Sequence, residues 1–292
     1  MQGDGASALE LFTLASRIGR SSGQPELIAL SGLGIGQTKI AMGEVAAGLA
    51  KLDEVMVAVT AGEVSPIVSG LVYCAVIIAC HDTFEIRRAI EWTRALSRWC
   101  NEQPDLVPFR GQCLVHRTQI LILNGEWPDA AEQVRLACRR LSEPPGQAAI
   151  GMAYYEEGEL HRLRGEYAAA ENSYGRSSEC GHEVQPGLAL LRAAQNRLDA
   201  AQSGIRRALE EPRQAARRPL LLAASVEVAL AAGDVKQARL AALELTGIAA
   251  ERTTTLLSAL SAQAMGSVLL AEGQSRASLD ELRRAWRLLA YP

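Results

Sequence analysis

The chain has 292 residues and a net charge of −3, with 30 basic and 33 acidic side chains. This balance argues against a protein that follows the phosphate backbone of nucleic acids. Hydrophobic residues make up 48% of the chain and aromatic residues only 4%, so alanine and leucine carry most of the apolar content. Because these two residues lose little side-chain freedom in a helix, the composition predicts closely packed helices.

The first predicted element is a helix over residues 6–19. We interpret it as the second helix of a hairpin whose first helix is missing. Its Leu9, Phe12 and Ile18 are expected to form an apolar surface that no further helix covers. We therefore expect this N-terminal helix either to form a homodimer with a second copy or to bind a missing segment.

The next stretch, SGLGIGQTKIAMGE over residues 31–44, places three glycines near a lysine, as in loops that bind nucleotide phosphates. A P-loop requires G-x-x-x-x-G-K-[ST], and a dinucleotide fingerprint requires a third glycine three residues after the second. Here Lys39 follows Thr38 and occupies the place of that third glycine. We predict instead that Gly32 and Gly36 lie on a helix and pack against its neighbour.

The most apolar stretch is VSPIVSGLVYCAVIIAC, residues 64–80. It has only 17 residues and contains Pro66, two serines and Tyr73, whereas a membrane-spanning helix needs about 20 apolar residues. We predict a buried helix and no association with a membrane.

The six cysteines are scattered, and the sequence shows no pattern that predicts a signal peptide. We therefore expect reduced, mostly buried thiols in a cytoplasmic protein. Cys113 and His116 have the i, i+3 spacing of two metal ligands, and aligning the repeats brings Cys74 close to His116. The sequence offers no second pair of Cys or His residues with this spacing to complete a metal site. Packed thiols and hydrogen-bonded imidazoles are therefore favoured, and no metal site is expected.

A helical hairpin is clearest over residues 154–178. Gly158 and Ala170 are twelve residues apart, and Tyr174 follows four residues later. One helix is predicted to end near residues 164–165 and a second to begin at 166–167. This unit resembles a tetratricopeptide repeat, which has small residues at its eighth and twentieth positions and an aromatic residue at its twenty-fourth.

Similar units recur along the chain, each marked by a small residue at the anchor position that Ala170 occupies. The eight anchors are Ala8, Gly48, Ala89, Ala130, Ala170, Ala201, Ala238 and Ser278. They are 40, 41, 41, 40, 31, 37 and 40 residues apart. Small residues are needed where two antiparallel helices approach closely. The spacing predicts an all-α fold: a tetratricopeptide-like α-solenoid, built as a right-handed superhelix of antiparallel helix pairs.

Residues 1–292 are expected to form one helical-repeat domain of about seven helix pairs, the first of them incomplete. Positions near the eighth slot of each first helix should line the inner groove of such a solenoid. The polar and aromatic residues expected there are Gln37, Cys74, Gln112, Gln119, Tyr155, Glu159, Arg162 and Glu227. This mixture suits a peptide end or an amphipathic small molecule. The alternative is that these are only solvated inner-face residues.

No catalytic site is expected. His161 lies near Glu157 and Glu159, but on an amphipathic helix such residues are ordinary surface. No serine or cysteine lies in a nucleophile elbow, and no carboxylate pair stands out from the solvated charges. We therefore expect a protein that is not an enzyme and requires no cofactor.

Three stretches carry a wider resemblance, at residues 58–80, 91–117 and 158–171. Through them the chain is similar to the helical-repeat region of LuxR-type transcriptional regulators of bacteria. In that family the repeats sense a ligand or protein, and a C-terminal helix-turn-helix domain binds DNA. This chain ends without such a domain, so direct DNA binding is not expected of it.

The resemblance implies a ligand- or protein-binding repeat module of a LuxR-family regulator, which senses an effector or partner in its concave groove. Two alternatives remain open. One is a stand-alone adaptor that assembles proteins without a small molecule. The other is a small-molecule-binding protein that serves resistance or sequestration.

Overall fold

The computed structural model describes residues 2–102, 107–147, 149–211 and 217–290. Within these ranges the chain forms fifteen α-helices and no β-strand, which confirms the all-α prediction. The helices are α1 Gln2–Ser22, α2 Pro25–Ala41, α3 Val45–Thr60, α4 Pro66–Asp82, α5 Ile86–Glu102, α6 Val107–Leu123, α7 Trp127–Ser142, α8 Ile150–Leu163, α9 Tyr167–Glu179, α10 Gly187–Ala194, α11 Leu198–Glu210, α12 Arg218–Ala231, α13 Val235–Arg252, α14 Thr255–Ala271 and α15 Ser275–Ala290.

The chain divides into two compact units, residues 1–117 and 118–292. In the first unit each helix from α1 to α5 contacts the next, and α2 also contacts α4. In the second unit each helix from α7 to α15 contacts the next. There the even-numbered helices also touch in series, α8 with α10, α10 with α12, and α12 with α14.

A tight turn with one residue in the left-handed region precedes every second helix from α3 onward. The left-handed residues are Gly43, Phe84, Gly125, Gly165, Asn196, Gly233 and Gly273. In the turn at Gly165, the N–H of Glu166 donates to the carbonyl of His161 at 2.9 Å, and the N–H of Gly165 donates to that of Arg162 at 3.1 Å. These bonds satisfy the last carbonyls of α8. Glycine and asparagine suit such a position because these two residues adopt left-handed backbone angles at little or no steric cost, whereas most other side chains clash there.

Each of these turns lies five residues before one of the anchors predicted from the sequence. The seven anchors from Gly48 to Ser278 are all buried, and the five alanines among them are each 0% exposed. The intervals of 41, 41, 40, 31, 37 and 40 residues therefore recur in the backbone conformation itself. This confirms the predicted repeat interval for the described residues from Gly43 onward.

Three glycines of residues 31–44, Gly32, Gly34 and Gly36, serve helix packing, whereas Gly43 forms the turn before α3. Helices α2 and α3 cross at Gly36 and Gly48, where a Cβ on Gly48 would lie 2.7 Å from the carbonyl oxygen of Gly36. A Cβ on Gly32 would meet the Val55 side chain at 2.6 Å. Any side chain at these positions would push the helices apart, so the packing prediction is confirmed.

The stretch predicted to be a buried helix forms α4, which begins at Pro66 and supplies ten buried residues to the first unit. Proline suits this first turn because a backbone N–H there would have no acceptor within the helix, so the lack of an N–H costs no hydrogen bond. Within the described part of the chain, none of the helices combines the length and apolarity that a membrane crossing demands. Five of the six cysteines are buried, as expected, and Cys180 is exposed.

The N-terminal helix differs from its prediction. It runs from Gln2 to Ser22 rather than over residues 6–19, and the anchor Ala8 is only partly buried. Phe12, expected on the uncovered surface, turns its ring toward α2, where it would lie 2.5 Å from a Cβ on Gly34. Ile18 is 49% exposed, as predicted, and Phe12 keeps 37% of its surface exposed, whereas Leu9 is half-buried. Leu11 and Leu14, which were not predicted, are 67% and 45% exposed on the same helix.

Candidate functional site

A group of polar and aromatic side chains gathers on one side of α8 in the second unit. Tyr155, Glu159 and Arg162 lie four and three residues apart, so they follow one another along one face of the helix. All three are half-buried. We call them, together with Glu156, Tyr174 of α9 and Glu227 of α12, the Tyr155 site.

Glu159 lies at the centre of a hydrogen-bond network. The guanidinium of Arg162 donates to its carboxylate at 2.6 Å, and the hydroxyl of Tyr174 donates to the other carboxylate oxygen. Burial opposes the charge of Arg162, but Glu159 outweighs that effect and raises the pKa of the guanidinium. The two charged side chains each keep 17% of their area exposed, so a ligand can reach them without breaking the pair.

The backbone of α10 closes tightly on this network at Gly187. A Cβ on Gly187 would clash with the Glu159 carboxylate and would lie 2.6 Å from the hydroxyl oxygen of Tyr174. Only glycine leaves room for both groups, so the start of α10 fixes the position of the Glu159 and Tyr174 side chains.

Tyr155 adds an aromatic surface beside the network. Its ring lies 5.7 Å from the ring of Tyr174 and 5.6 Å from that of His182, both measured between centroids. The guanidinium of Arg217 lies 5.6 Å from the Tyr155 ring centroid, within the range of a cation–π contact. Burial, and then the nearby Glu159, raises the pKa of the Tyr155 hydroxyl, so it remains a protonated donor.

Glu156 is the most deeply buried carboxyl group of the site, with 8% of the residue exposed. The amide of Gln119, on α6, donates to it at 2.9 Å. Burial raises the pKa of Glu156 to about 8, with a further contribution from Glu159, whereas Gln119 and Arg217 act in the opposite direction. At neutral pH this carboxyl is therefore mostly protonated.

Glu227 joins the site from α12. The residue is exposed, yet the surrounding protein desolvates its carboxyl and raises its pKa. Arg162 lowers and Glu159 raises the same pKa, which places the three groups within electrostatic reach of one another.

The structure thus brings together Tyr155, Glu159, Arg162 and Glu227, and it links Gln119 to them through Glu156. The remaining predicted groove residues belong to the first unit. There Gln37 is exposed, Gln112 is half-buried, and Cys74 lies in the hydrophobic core with 5% of its surface exposed. Burial raises the pKa of Cys74 to about 12, so its thiol stays protonated and offers little to a ligand.

Several residues of the site, or in contact with it, are missing from the sequence-based prediction. The sequence marks Tyr174 only as the aromatic residue of the repeat, although its hydroxyl supports Glu159. Arg217 and His182 come from connections between helices, where no periodic pattern marks them. Glu156 directly follows Tyr155, and its burial arises from its neighbours in space.

The histidine considered for acid–base chemistry has a partner outside the Tyr155 site. The His161 ring nitrogen lies 2.5 Å from the Glu166 carboxylate, at the end of α8 and the start of α9. Among the described residues, no three His, Cys, Asp or Glu side chains form a group suited to a metal ion.

Comparison with protein-family models found no match, and neither did a search of the curated proteins. The LuxR-type resemblance therefore rests on the sequence stretches given above.

Proposed function

We propose that the chain is a tetratricopeptide-like α-solenoid of antiparallel helix pairs, with one repeat domain over residues 1–292. Two features of the described helices support this proposal. A left-handed turn joins the two helices of each pair from α2–α3 to α14–α15. In the second unit the first helices of successive pairs also touch one another, as they do along the inner layer of a solenoid.

The Tyr155 site is the proposed place of binding. Its supporting observation is the Arg162–Glu159–Tyr174 network beside the Tyr155 ring, which is held in place yet partly open to solvent. Side chains fixed in advance lose less conformational entropy on binding, and so they favour affinity. The ring offers an apolar contact, and the carboxylate and guanidinium offer polar ones. This combination suits a peptide end or an amphipathic small molecule.

The proposed setting is a non-enzymatic sensing module of a LuxR-like regulator in the cytoplasm. An effector or partner protein bound at the Tyr155 site would change the assembly of the regulator. The support for this setting is the sequence resemblance, since a helical-repeat scaffold serves many functions. DNA contact is not part of the proposal for this chain.

Thermal unfolding with a library of metabolites and short peptides tests the binding site. A compound that binds only the folded state raises the unfolding temperature by mass action. We expect this rise to be lost when Tyr155→Ala is combined with Glu159→Ala. The matched control combines Tyr167→Ala with Glu179→Ala, which changes the same residue types at exposed positions of α9. An unchanged response in the Tyr155 and Glu159 variant would reject the site.

A stand-alone adaptor is the second candidate function, favoured by the partly exposed ion pair of the site, which also suits a protein surface. An adaptor would respond to proteins or peptides in the same experiment but to no metabolite. A small-molecule-sequestering protein would give the opposite pattern. The two classes of ligand therefore separate these alternatives.

A further inference from the structure

An apolar stripe on α1 points away from the rest of the first unit. Leu11, Leu14 and Ile18 are 67%, 45% and 49% exposed. They are spaced by three and four residues, which puts them on one side of the helix. The neighbouring side of α1 contacts α2, through Phe12 against Gly34 and through Gly19, where a Cβ would lie 3.0 Å from Ile28.

The charges beside this stripe are of opposite sign and are one heptad apart. Glu10 directly precedes Leu11, and Arg17 directly precedes Ile18. Both charged residues are exposed. In heptad terms, Leu11 and Ile18 are a positions, Leu14 is the d position, and Glu10 and Arg17 are the flanking g positions.

This arrangement is complementary to itself in only one orientation. When two such helices pair antiparallel, the g positions of one face the g positions of the other. Glu10 of each copy then meets Arg17 of the other, and two ion pairs flank the apolar stripe. In a parallel pair the g positions face e positions instead. Here the e positions are Ala15 and Ser22, which carry no charge, so neither ion pair forms.

We propose that the α1 stripe binds a second copy of this chain, with the two α1 helices antiparallel across a twofold axis. Such an interface uses the same patch on both copies. A single helix pair is small for a protein interface, so dimerisation should depend on concentration. This inference is independent of the Tyr155 site.

Sedimentation velocity over a dilution series tests the dimer. We expect a monomer–dimer equilibrium for the wild-type protein and a monomer at all concentrations for Leu14→Asp. The matched control is Leu240→Asp, which places the same charge on an exposed leucine of α13 and should leave the equilibrium unchanged. Helical content by circular dichroism shows that each variant is folded.

Charge reversal identifies the orientation. Glu10→Arg alone and Arg17→Glu alone should each weaken self-association, because each puts like charges together. An equimolar mixture of these two variants should form heterodimers, and the double variant should dimerise like the wild type. A monomeric wild-type protein, a dimer that Leu14→Asp does not affect, or a mixture that fails to associate would each overturn the proposal.

Discussion

The hydroxyl of Tyr174 and the carboxylate of Glu159 meet against the backbone of Gly187. These three residues come from α9, α8 and α10, so one contact joins a helix pair to the helix that follows it. Tyr174 is 1% exposed, and its hydroxyl would be unsatisfied without Glu159 or a water molecule. The contact therefore contributes to stability as well as to the position of Glu159 in the site.

Replacing Gly187 with alanine should disrupt this contact. The added methyl group displaces the Glu159 carboxylate and the Tyr174 hydroxyl, and we expect a loss of about 1–3 kcal/mol in the free energy of unfolding. Urea denaturation measures this loss. Gly247→Ala is the control, because a Cβ at Gly247 of α13 meets no atom within 4 Å. That change should stabilise the protein by up to about 1 kcal/mol. Equal effects of the two substitutions would contradict the crowding at Gly187.

Glu156 should make stability depend on pH in the neutral range. Its pKa rises from 4.5 to about 8 on folding, so the folded state holds the proton more tightly. The resulting stabilisation is complete below pH 4.5 and is lost as the pH rises through 8. Glu156→Gln keeps an acceptor for Gln119 but cannot titrate.

Urea denaturation of both proteins between about pH 5 and pH 8 measures the difference. The stability of the wild type should fall relative to Glu156→Gln, with a slope of at most about 1.4 kcal/mol per pH unit. All other titrating groups are common to both proteins and cancel. Glu251→Gln, at an exposed position of α13, serves as the control for the loss of one carboxyl group. If the curve of Glu156→Gln runs parallel to that of the wild type, the Glu156 carboxyl is ionised in the folded protein.

Gly48→Ala should destabilise the first unit more than a surface change would. The new methyl group would lie 2.6 Å from the Ile40 side chain and 2.7 Å from the carbonyl oxygen of Gly36. The backbone at Gly36 can make room for this methyl group only if α2 moves away from α3. We therefore expect a loss of about 1–3 kcal/mol in the free energy of unfolding. Gly175→Ala on α9 is the control, since no atom lies within 4 Å of its Cβ position. A Gly48→Ala protein as stable as the wild type would mean that the helix crossing is not tight.

The repeat was predictable because the closest approach of two helices limits side-chain size at one position per pair. That limit leaves a mark in the sequence, such as Gly48 or Ala170, whatever the neighbouring residues are. Burial of the inner face leaves no comparable mark. Tyr155, Cys74 and Val115 occupy the same position in three different repeats, three residues before the eighth position. Tyr155 is half-buried there, whereas Cys74 and Val115 lie in the core and are 5% and 0% exposed. Whether this slot opens to solvent depends on the side chains of the helices around it.

The Tyr155 site was partly predictable from the helical period. Tyr155, Glu159 and Arg162 share a face of α8, which the helical period alone requires. The contacts of Glu159 with Tyr174 and Gly187 depend on how α9 and α10 pack, and α10 belongs to the shortest repeat interval, 31 residues. Arg217 reaches Tyr155 from a connection between helices, where no period applies.

The left-handed turn at Asn196 offers a test of the repeat that leaves the core untouched. Asn196 is exposed, and its φ of 59° lies in the region where glycine has no steric penalty. Asn196→Gly should therefore keep the stability within about 1 kcal/mol of the wild type. Asn196→Val should lower it by about 1–2 kcal/mol, because a β-branched side chain is strained at this φ. Urea denaturation measures both effects.

The control for this turn is an asparagine inside a regular helix. Asn172 is exposed in the middle of α9, where every residue adopts right-handed helical angles. Glycine is a poorer helix former than valine, so Asn172→Gly should be less stable than Asn172→Val, the reverse of the order expected at Asn196. If valine were the better substitute at both positions, Asn196 would not adopt the left-handed turn in solution, and the turn that joins α10 to α11 would differ from the other six.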